Sequence, residues 1–257
     1  MLRSVATHAA QPRTFVTRLG RFSTEAGRAL ADVRTWRPLV LGQMRRLGVD
    51  SIPIGIFVAV FTGIVLSLLS SYIFTGAVPL HFVGALVGKT IMMELGPVLT
   101  GMALAGRVGA NIAAELGTMR VTEQLDALET LAYDRNAYLV VPRVFAATLM
   151  FPVVTAFAVA VGVTAGWATS LELLDLSTNE FVRGLRQFYQ FKDIWFGLVK
   201  SASFGAAVAL TGCLEGIATT GGAEGVGRAT TQAVVYASIT ILIANFFLTM
   251  ALSQLLG

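Results

Sequence analysis

Glu94 is the residue whose type and position could do the most chemistry, because it lies within an apolar stretch from Phe82 to Gly106. A carboxylate at the centre of a membrane costs roughly 2.5–3.5 kcal/mol on insertion scales, so it must be protonated, paired or facing a polar cavity. Gly96 and Pro97 follow, and the proline predicts a kink that opens the helix beside Glu94. We therefore expect Glu94 either to line a polar cavity or to form a buried pair that only fixes helix register.

Two lysines are candidate partners for Glu94. Lys200 lies six residues inside another apolar stretch, Ile194–Ala218, and enters the membrane from the same side as Glu94. Lys89 lies in the same stretch as Glu94 and is the rival partner. The sequence leaves this choice open.

The sequence contains no motif that combines a nucleophile, a base and an acid. The stretch Gly84–Thr90 looks like a nucleotide-binding loop, but a Walker A motif needs four residues between its glycines, and this stretch has three and no preceding strand. His8 and His81 stand far apart, and Cys213 is the only cysteine, so neither a metal site nor an intrachain disulfide is expected. We predict no catalytic residue, no metal, no cofactor and no nucleic-acid binding.

The elements that hold Glu94 must be membrane-spanning helices. The 257 residues are 55% hydrophobic and 13% charged, whereas soluble domains carry about 25% charged residues. Backbone groups in lipid must be satisfied within a helix or a closed barrel, and the alternating pattern of barrel strands is missing. The sequence therefore predicts an all-α integral membrane protein. About 20 apolar residues cross a bilayer, and five segments reach that length: Ile52–Phe74, Phe82–Gly106, Val144–Ala168, Ile194–Ala218 and Thr231–Leu255.

The distribution of arginine and lysine predicts the orientation of these spans. Nine arginines precede the first span, four lie between the second and third, and one lies between the fourth and fifth. Only two arginines and one lysine lie between the third and fourth spans. Because cytoplasmic segments carry the excess of positive charge, the amino terminus and the 107–143 and 219–230 loops are predicted to be cytoplasmic. The 75–81 turn, the 169–193 loop and the carboxyl terminus are predicted to face the other side.

Residues 1–49 are predicted to form an interfacial region, and residues 50–257 the five-span domain. A basic amphipathic helix lying on an anionic membrane surface has the observed pattern, with many arginines, few acids and apolar residues at helical spacing. An arginine-rich organellar transit peptide is the alternative, but the apolar residues continue up to the first span. They are Phe15, Leu19, Phe22, Leu30, Val33, Trp36 and Leu39.

The polar segment Asn111–Thr130 is predicted to be a cytoplasmic helix or helix pair, because apolar residues recur there at helical spacing between charged ones. By itself this pattern predicts a solvated surface element. Its position after a kinked span favours a docking helix for a cytoplasmic partner.

Six motifs, in order along residues 50–257, resemble those of the MlaE/YrbE permeases, the membrane subunits of MCE-type ABC lipid transporters. They are ELGP at 94–97, AGRVGA at 105–110, AELGTM at 114–119, EQLDAL at 123–128, PR at 142–143 and EGVGRATT at 224–231. The resemblance implies a homodimer with an interfacial helix and five spans per protomer. It also implies two copies of an ABC ATPase subunit on the cytoplasmic side and an MCE-domain substrate-binding protein on the other.

The function implied is the movement of lipid, and phospholipid in particular, between the inner membrane and the periplasmic side of a diderm bacterium. Two other classes of function remain as alternatives. One is a membrane scaffold without transport, and the other is a secondary carrier that uses Glu94 for protons. A proton-coupled carrier would show several intramembrane acids and an internal repeat, and the sequence has one acid near the centre of a span, Glu94, and no repeat.

The resemblance also implies site residues. The lipid cavity between protomers would be lined by Glu94, Leu69, Ile73, Phe74 and Lys200. Met93 stands where some relatives carry a basic residue, which favours Lys200 or Lys89 as the partner of Glu94.

By the same resemblance, the segment of about residues 111–130 would be the coupling helix that docks on the ATPase. Arg107 would tether the end of the second span. The polar contacts of this coupling region would involve Glu115, Arg120, Glu123, Gln124 and Asp126.

Overall fold

The computed structural model of the chain describes residues 12–74, 79, 81–174 and 176–256. The predictions that concern residues 1–11, most of the 75–81 turn and the side chain of Ile73 lie outside this part of the chain. The described residues form helices and no strand. The helices are α1 (Pro12–Ala29), α2 (Val33–Leu47), α3 (Ile52–Ile73), α4 (Phe82–Thr90), α5 (Gly96–Leu104), α6 (Ala110–Val121), α7 (Gln124–Thr130), α8 (Val141–Leu173), α9 (Thr178–Phe188), α10 (Phe191–Ile217) and α11 (Gly222–Leu256).

Five helical stretches in the described residues are long and apolar enough to cross a membrane, which confirms the all-α, five-span prediction. The stretches are Val33–Ser70, Phe82–Val121, Asn136–Leu173, Phe191–Ile217 and Gly222–Leu255. Because the spans alternate in direction, α7 lies at one end of the bundle and α9 at the other. We call these the α7 end and the α9 end.

The second span is a single helical rod that contains α4, α5 and α6. It is interrupted by two π turns, at Ile91–Leu95 and Ala105–Gly109. Pro97 has no N–H to donate to the carbonyl of Met93, and the helix widens into the first π turn just before it. The predicted kink beside Glu94 therefore takes the form of a π turn that carries Glu94 itself.

Close backbone contacts fix α10 in the centre of the bundle, where it packs against α6, α8 and α11. A Cβ atom added to Gly205 would lie 2.4 Å from the carbonyl oxygen of Ala147 on α8. Small residues of this kind are what allow membrane helices to approach each other closely. The helix that carries Lys200 is thus held firmly against its neighbours.

The amino-terminal region contains two helices rather than the single interfacial helix that the sequence predicted. Phe15 and Phe22 of α1 pack into the core, and the Phe15 ring stacks on Tyr236 with centroids 4.2 Å apart. The predicted apolar stripe is interrupted between the two helices, where Leu30 and Val33 are exposed. Since α1 buries Phe15 and Phe22 in the core and packs against α10, part of this region belongs to the bundle.

The 169–193 segment, predicted to be a loop, contains the helix α9. Ser177 and Glu180 begin it with a capping box, in which the Ser177 hydroxyl accepts from the Glu180 N–H and the Glu180 carboxylate accepts from the Ser177 N–H. Hydrogen bonds from the Ser177 hydroxyl and N–H lower the pKa of the Glu180 carboxyl. The face of α9 that carries Phe181 and Gly184 packs against α4.

Candidate functional site

Three helices bring polar side chains together around Glu94. The Lys200 ammonium on α10 donates to Oε2 of Glu94, and the Asn245 amide on α11 donates to Oε1. Both carboxylate oxygens are therefore engaged. We call Glu94, Lys200 and Asn245 the polar triad.

Of the two candidate lysines, the structure pairs Lys200 with Glu94. The Lys89 ammonium instead lies 3.9 Å from Oδ2 of Asp193 on α10. Asp193 lies in the first turn of α10, seven residues before Lys200. The side chain of Lys89 therefore reaches α10 nearer to the α9 end.

The three side chains of the polar triad are unequally buried. The Lys200 side chain is fully buried, with the Phe196 ring centroid 4.8 Å from its ammonium nitrogen. The Glu94 side chain is 39% exposed. A buried ammonium needs a counter-charge, and Glu94 supplies it while keeping part of its surface accessible. The arrangement can therefore hold a polar group of a ligand against the carboxylate within an apolar bundle.

The apolar residues predicted to line the same cavity lie elsewhere in the protomer. Leu69 is half-exposed on α3, and Phe74 packs against a cluster that contains Val83 and Val87 near the α9 end. Among the described contacts, those of the Glu94 carboxylate come from α10 and α11 and not from α3. Within a single protomer, Leu69 and Phe74 therefore do not line a common cavity with the polar triad.

At the α7 end, the predicted coupling residues divide into two groups. Glu115 belongs to the first group, because its carboxylate lies 3.1 Å from the Arg143 guanidinium and 3.7 Å from the Arg46 guanidinium. The Arg143 side chain is buried. Arg107 donates to the Ser51 hydroxyl and so joins the second π turn to the start of α3. Both Glu115 and Arg107 therefore bind other parts of the same chain.

The second group is exposed on α7 and on the turn before it. Glu123 stands in the left-handed region with a φ of 61°, and this turn separates α7 from α6. Arg120 and Asp126 form an ion pair of 2.5 Å across the turn. Leu125 is fully buried and anchors α7 to the bundle, whereas Gln124 is exposed. The polar side chains of α7 therefore form a surface that a partner could contact.

A groove of about 710 Å³ lies beside this surface, between α2 and α6. Its lining mixes charged and amide side chains from the two helices and from the segments next to them. They include Gln43, Arg46, Asp50, Arg107, Asn111 and Gln124. The α7 end thus presents a projecting short helix next to a polar cleft.

Three of the polar residues around these sites are not predicted as site residues by the sequence. Asn245 lies in the fifth span, where an amide in hydrocarbon also needs a partner, so its polarity alone could have identified it. The sequence predicts a loop at Asp193, whereas the structure places it at the start of α10 with its side chain buried. Arg143 is used in the sequence for orientation and as part of the PR motif, and nothing in its local pattern predicts its burial.

Known proteins similar to this chain share most of its length. A family model described as Permease MlaE matches residues 40–251. A probable ABC transporter permease protein of Synechocystis is 43% identical over 216 residues, which cover 83% of this chain and 81% of that protein. The protein TRIGALACTOSYLDIACYLGLYCEROL 1 of Arabidopsis thaliana, which is chloroplastic, is 36% identical over 213 residues, 83% of this chain and 61% of that one. The intermembrane phospholipid transport system permease protein MlaE of Haemophilus influenzae is 32% identical over 219 residues, 85% and 84% of the two chains.

Proposed function

This chain belongs to the MlaE family of ABC transporter permeases, and from that premise we propose that it moves phospholipid across or out of the membrane that it spans. The observation that carries the proposal is the polar triad, which places a partly exposed carboxylate near the centre of an apolar membrane-spanning helix. A two-tailed amphiphile needs an apolar path with few polar contacts for its head group. The relative from Haemophilus influenzae is named for phospholipid transport, which supports the same substrate class.

The polar triad acts in this proposal as a reversible contact for the head group. Lys200 compensates the charge of Glu94 from the buried side, so the exposed side of the carboxylate can exchange one polar neighbour for another. A hydrogen bond to a charged group contributes about 1.5–3 kcal/mol. A contact of that size selects a head group and still allows its release.

Force for transport would come from a separate ATPase subunit, because the sequence contains no nucleotide-binding loop. We propose that α7 and the turn at Glu123 dock on that subunit, with Gln124 and Asp126 among the contacts and the Arg120–Asp126 pair holding the shape of the turn. The helical rod Phe82–Val121 links this end of the bundle to Glu94. A displacement of the α7 end would therefore be transmitted to the polar triad through one helical rod. The two π turns are the points at which this rod can bend.

The complete transporter proposed is a homodimer of this chain with two ATPase subunits and an MCE-domain protein. Exposed apolar side chains on α11, such as Leu242, Phe246 and Phe247, offer surface for lipid or for a second copy. We place the α7 end in the cytoplasm and the α9 end on the periplasmic side of a bacterial inner membrane, because arginine is concentrated at the former. Residues 1–49 would form the interfacial region and residues 50–257 the permease domain.

The proposed role of Glu94 is tested with Glu94→Gln in the transporter purified with its ATPase. We expect lipid occupancy, measured by native mass spectrometry, and lipid transfer between vesicles each to fall by about tenfold, the change that corresponds to losing one charged hydrogen bond. Glu172→Gln, which changes an exposed acid on α8, is the matched control and should behave as wild type. If Glu94→Gln leaves occupancy and transfer intact, Glu94 is structural and the proposed site is wrong.

A further inference from the structure

A crevice of about 400 Å³ lies at the α7 end, between α2, α6 and the segment that leads into α8. The charged residues that line it are Arg46, Glu115 and Arg143. We call it the arginine crevice. Arg46 and Glu115 also line the polar groove between α2 and α6, so the two spaces are adjacent.

Two arginines in this crevice share one carboxylate. The Glu115 carboxylate lies 3.1 Å from the Arg143 guanidinium and 3.7 Å from the Arg46 guanidinium. Glu115 is the acid among the described lining residues, and neither arginine forms an ion pair with any other residue that the structure describes. Asp50 lines the neighbouring groove but forms no ion pair within the described part of the chain. One positive charge of the crevice is therefore left without a counter-charge.

The hydrogen-bond donors of the arginine crevice are not saturated. Nε of Arg143 is buried and has no acceptor among the described residues. The Arg46 side chain is 68% exposed, and its distance to Glu115 is too long for a hydrogen bond. The Gln43 amide and the Tyr138 hydroxyl also line the crevice, and neither makes a hydrogen bond to the described part of the chain. A guanidinium, an amide and a hydroxyl are thus available to one anion.

The crevice lies at the depth of the lipid head groups. Arg143 directly precedes the apolar stretch Val144–Ala168, and Arg46 is the sixth residue before the stretch Ile52–Phe74. At about 1.5 Å per helical residue, the two arginines lie about 2 Å and 9 Å beyond the hydrocarbon, where the head-group layer is about 5–7 Å deep. An anionic head group can therefore reach the crevice from the membrane.

We propose that the arginine crevice binds the phosphate of an anionic phospholipid from the leaflet at the α7 end, with the Arg46 guanidinium donating to the phosphate oxygens. Arginine suits this ligand because its parallel N–H groups match two phosphate oxygens. The glycerol and the start of an acyl chain lie along the apolar wall formed by Leu39, Met119 and Leu139. A free phosphate ester shares the charge chemistry but has no use for this wall. The site is separate from the polar triad and holds a lipid that is not the transported one.

The test compares two lipids that have the same phosphate and acyl chains but different net charge. The full-length chain is exchanged into neutral detergent and titrated with phosphatidylglycerol or with phosphatidylcholine, and native mass spectrometry counts the lipid molecules that each chain retains. We expect wild type to retain one more molecule of phosphatidylglycerol than of phosphatidylcholine. Arg46→Gln should lower the occupancy of this additional molecule about tenfold, as expected for losing one charged hydrogen bond.

Two further variants separate binding from folding and from overall charge. Arg45→Gln removes an exposed positive charge from the next position of α2, outside the crevice, and should leave the occupancy unchanged. Glu115→Gln removes the carboxylate that competes with the phosphate for both arginines. At a lipid concentration that half-fills the site, this variant should raise the occupancy although it loses an internal ion pair, which a purely structural role of the crevice would not produce.

Four results would overturn the inference. The first two are equal retention of the two lipids by wild type and an equal loss of the additional lipid in Arg45→Gln. The third is displacement of phosphatidylglycerol by equimolar glycerol 3-phosphate, which would identify a site for a soluble phosphate ester. The fourth is unchanged lipid occupancy in Arg46→Gln together with loss of the ATPase, which would assign the crevice to an acidic side chain of that subunit.

The outcome is independent of the proposed function. Glu94→Gln should leave the additional phosphatidylglycerol bound, because Glu94 lies in the polar triad and not in the arginine crevice. If the crevice holds no lipid, the dependence of lipid transfer on Glu94 is unaffected.

Discussion

Lys200 and Glu94 contribute unequally to one ion pair. The Lys200 side chain is fully buried, and Glu94 is its counter-charge. Glu94 is partly exposed and also accepts a hydrogen bond from Asn245. Removing the Glu94 carboxylate therefore leaves the buried Lys200 ammonium without a counter-charge. Removing the Lys200 ammonium leaves a Glu94 carboxylate that is partly exposed and still accepts a hydrogen bond from Asn245.

This asymmetry predicts the order of stability of three variants. Glu94→Leu should lower the free energy of unfolding by about 3–5 kcal/mol, the usual cost of stranding a buried charge. Lys200→Met should cost less, and the double variant should recover most of the loss, because an apolar pair can replace a buried ion pair at little cost. Thermal unfolding of the detergent-solubilised protein measures all three. Equal losses in the single variants, or additive losses in the double one, would contradict this account.

The sequence was informative about charged residues in the spans and less informative about their partners. Glu94 and Lys200 could be identified because a charge in hydrocarbon demands an explanation. The choice between Lys200 and Lys89 could not be made, since it depends on the rotation of the helical rod and on the π turn that carries Glu94. Asn245 was missed because one amide changes the hydropathy of a span very little.

At the scale of elements, hydropathy identifies the spans but not the short helix α9. No apolar segment of membrane-spanning length exists between α8 and α10, so this region was assigned to a loop. Two signals were nevertheless present. Ser177 and Glu180 have the spacing of a capping box, and Phe181, Leu185 and Phe188 recur at helical spacing. The packing of α9 against α4 depends on glycines that lie far apart in the sequence, such as Gly84 and Gly184. The sequence pattern of α9 alone therefore does not predict this packing.

Gly184 provides a test of how α9 is held. A Cβ atom at this position would lie 1.7 Å from the carbonyl oxygen of His81, so Gly184→Ala must displace α9 from α4. We expect a loss of about 1–3 kcal/mol, as for other overpacked sites, and faster hydrogen exchange of the α9 amides. Gly20→Ala on α1 is the control, because no atom lies within 4 Å of the added Cβ, and it should stabilise the helix by up to about 1 kcal/mol. Unchanged exchange in Gly184→Ala would mean that α9 does not depend on this contact.

At the scale of the whole molecule, the number of spans follows from the length and composition of the apolar segments, but their ends do not. The second span was predicted to end at Gly106, and its helix continues to Val121. The extension is possible because Ile112 and Leu116 pack against α10 and α11, although the segment is too polar to cross a membrane. The predicted coupling segment is therefore part bundle and part exposed helix.

Two variants distinguish a docking surface from an internal connection at the α7 end. Glu123→Arg reverses the charge of an exposed residue on the turn before α7, and we expect it to reduce co-purification of the ATPase while the unfolding temperature stays at the wild-type value. Glu115→Gln removes the carboxylate that pairs with the buried Arg143. We expect it to lower the free energy of unfolding by about 1.5–3 kcal/mol and to leave co-purification intact at low temperature.

The comparison is informative because both residues were predicted to contact the ATPase. If the exposed α7 surface is the docking site, only Glu123→Arg should separate the subunits, and Glu172→Arg, at the α9 end, should have no effect on them. Co-purification that survives Glu123→Arg would exclude Glu123 as a required contact. The Glu115 side chain also lines the polar groove between α2 and α6. If Glu115→Gln fails to co-purify with the ATPase but keeps its stability, the docking site is this groove rather than the exposed α7 surface.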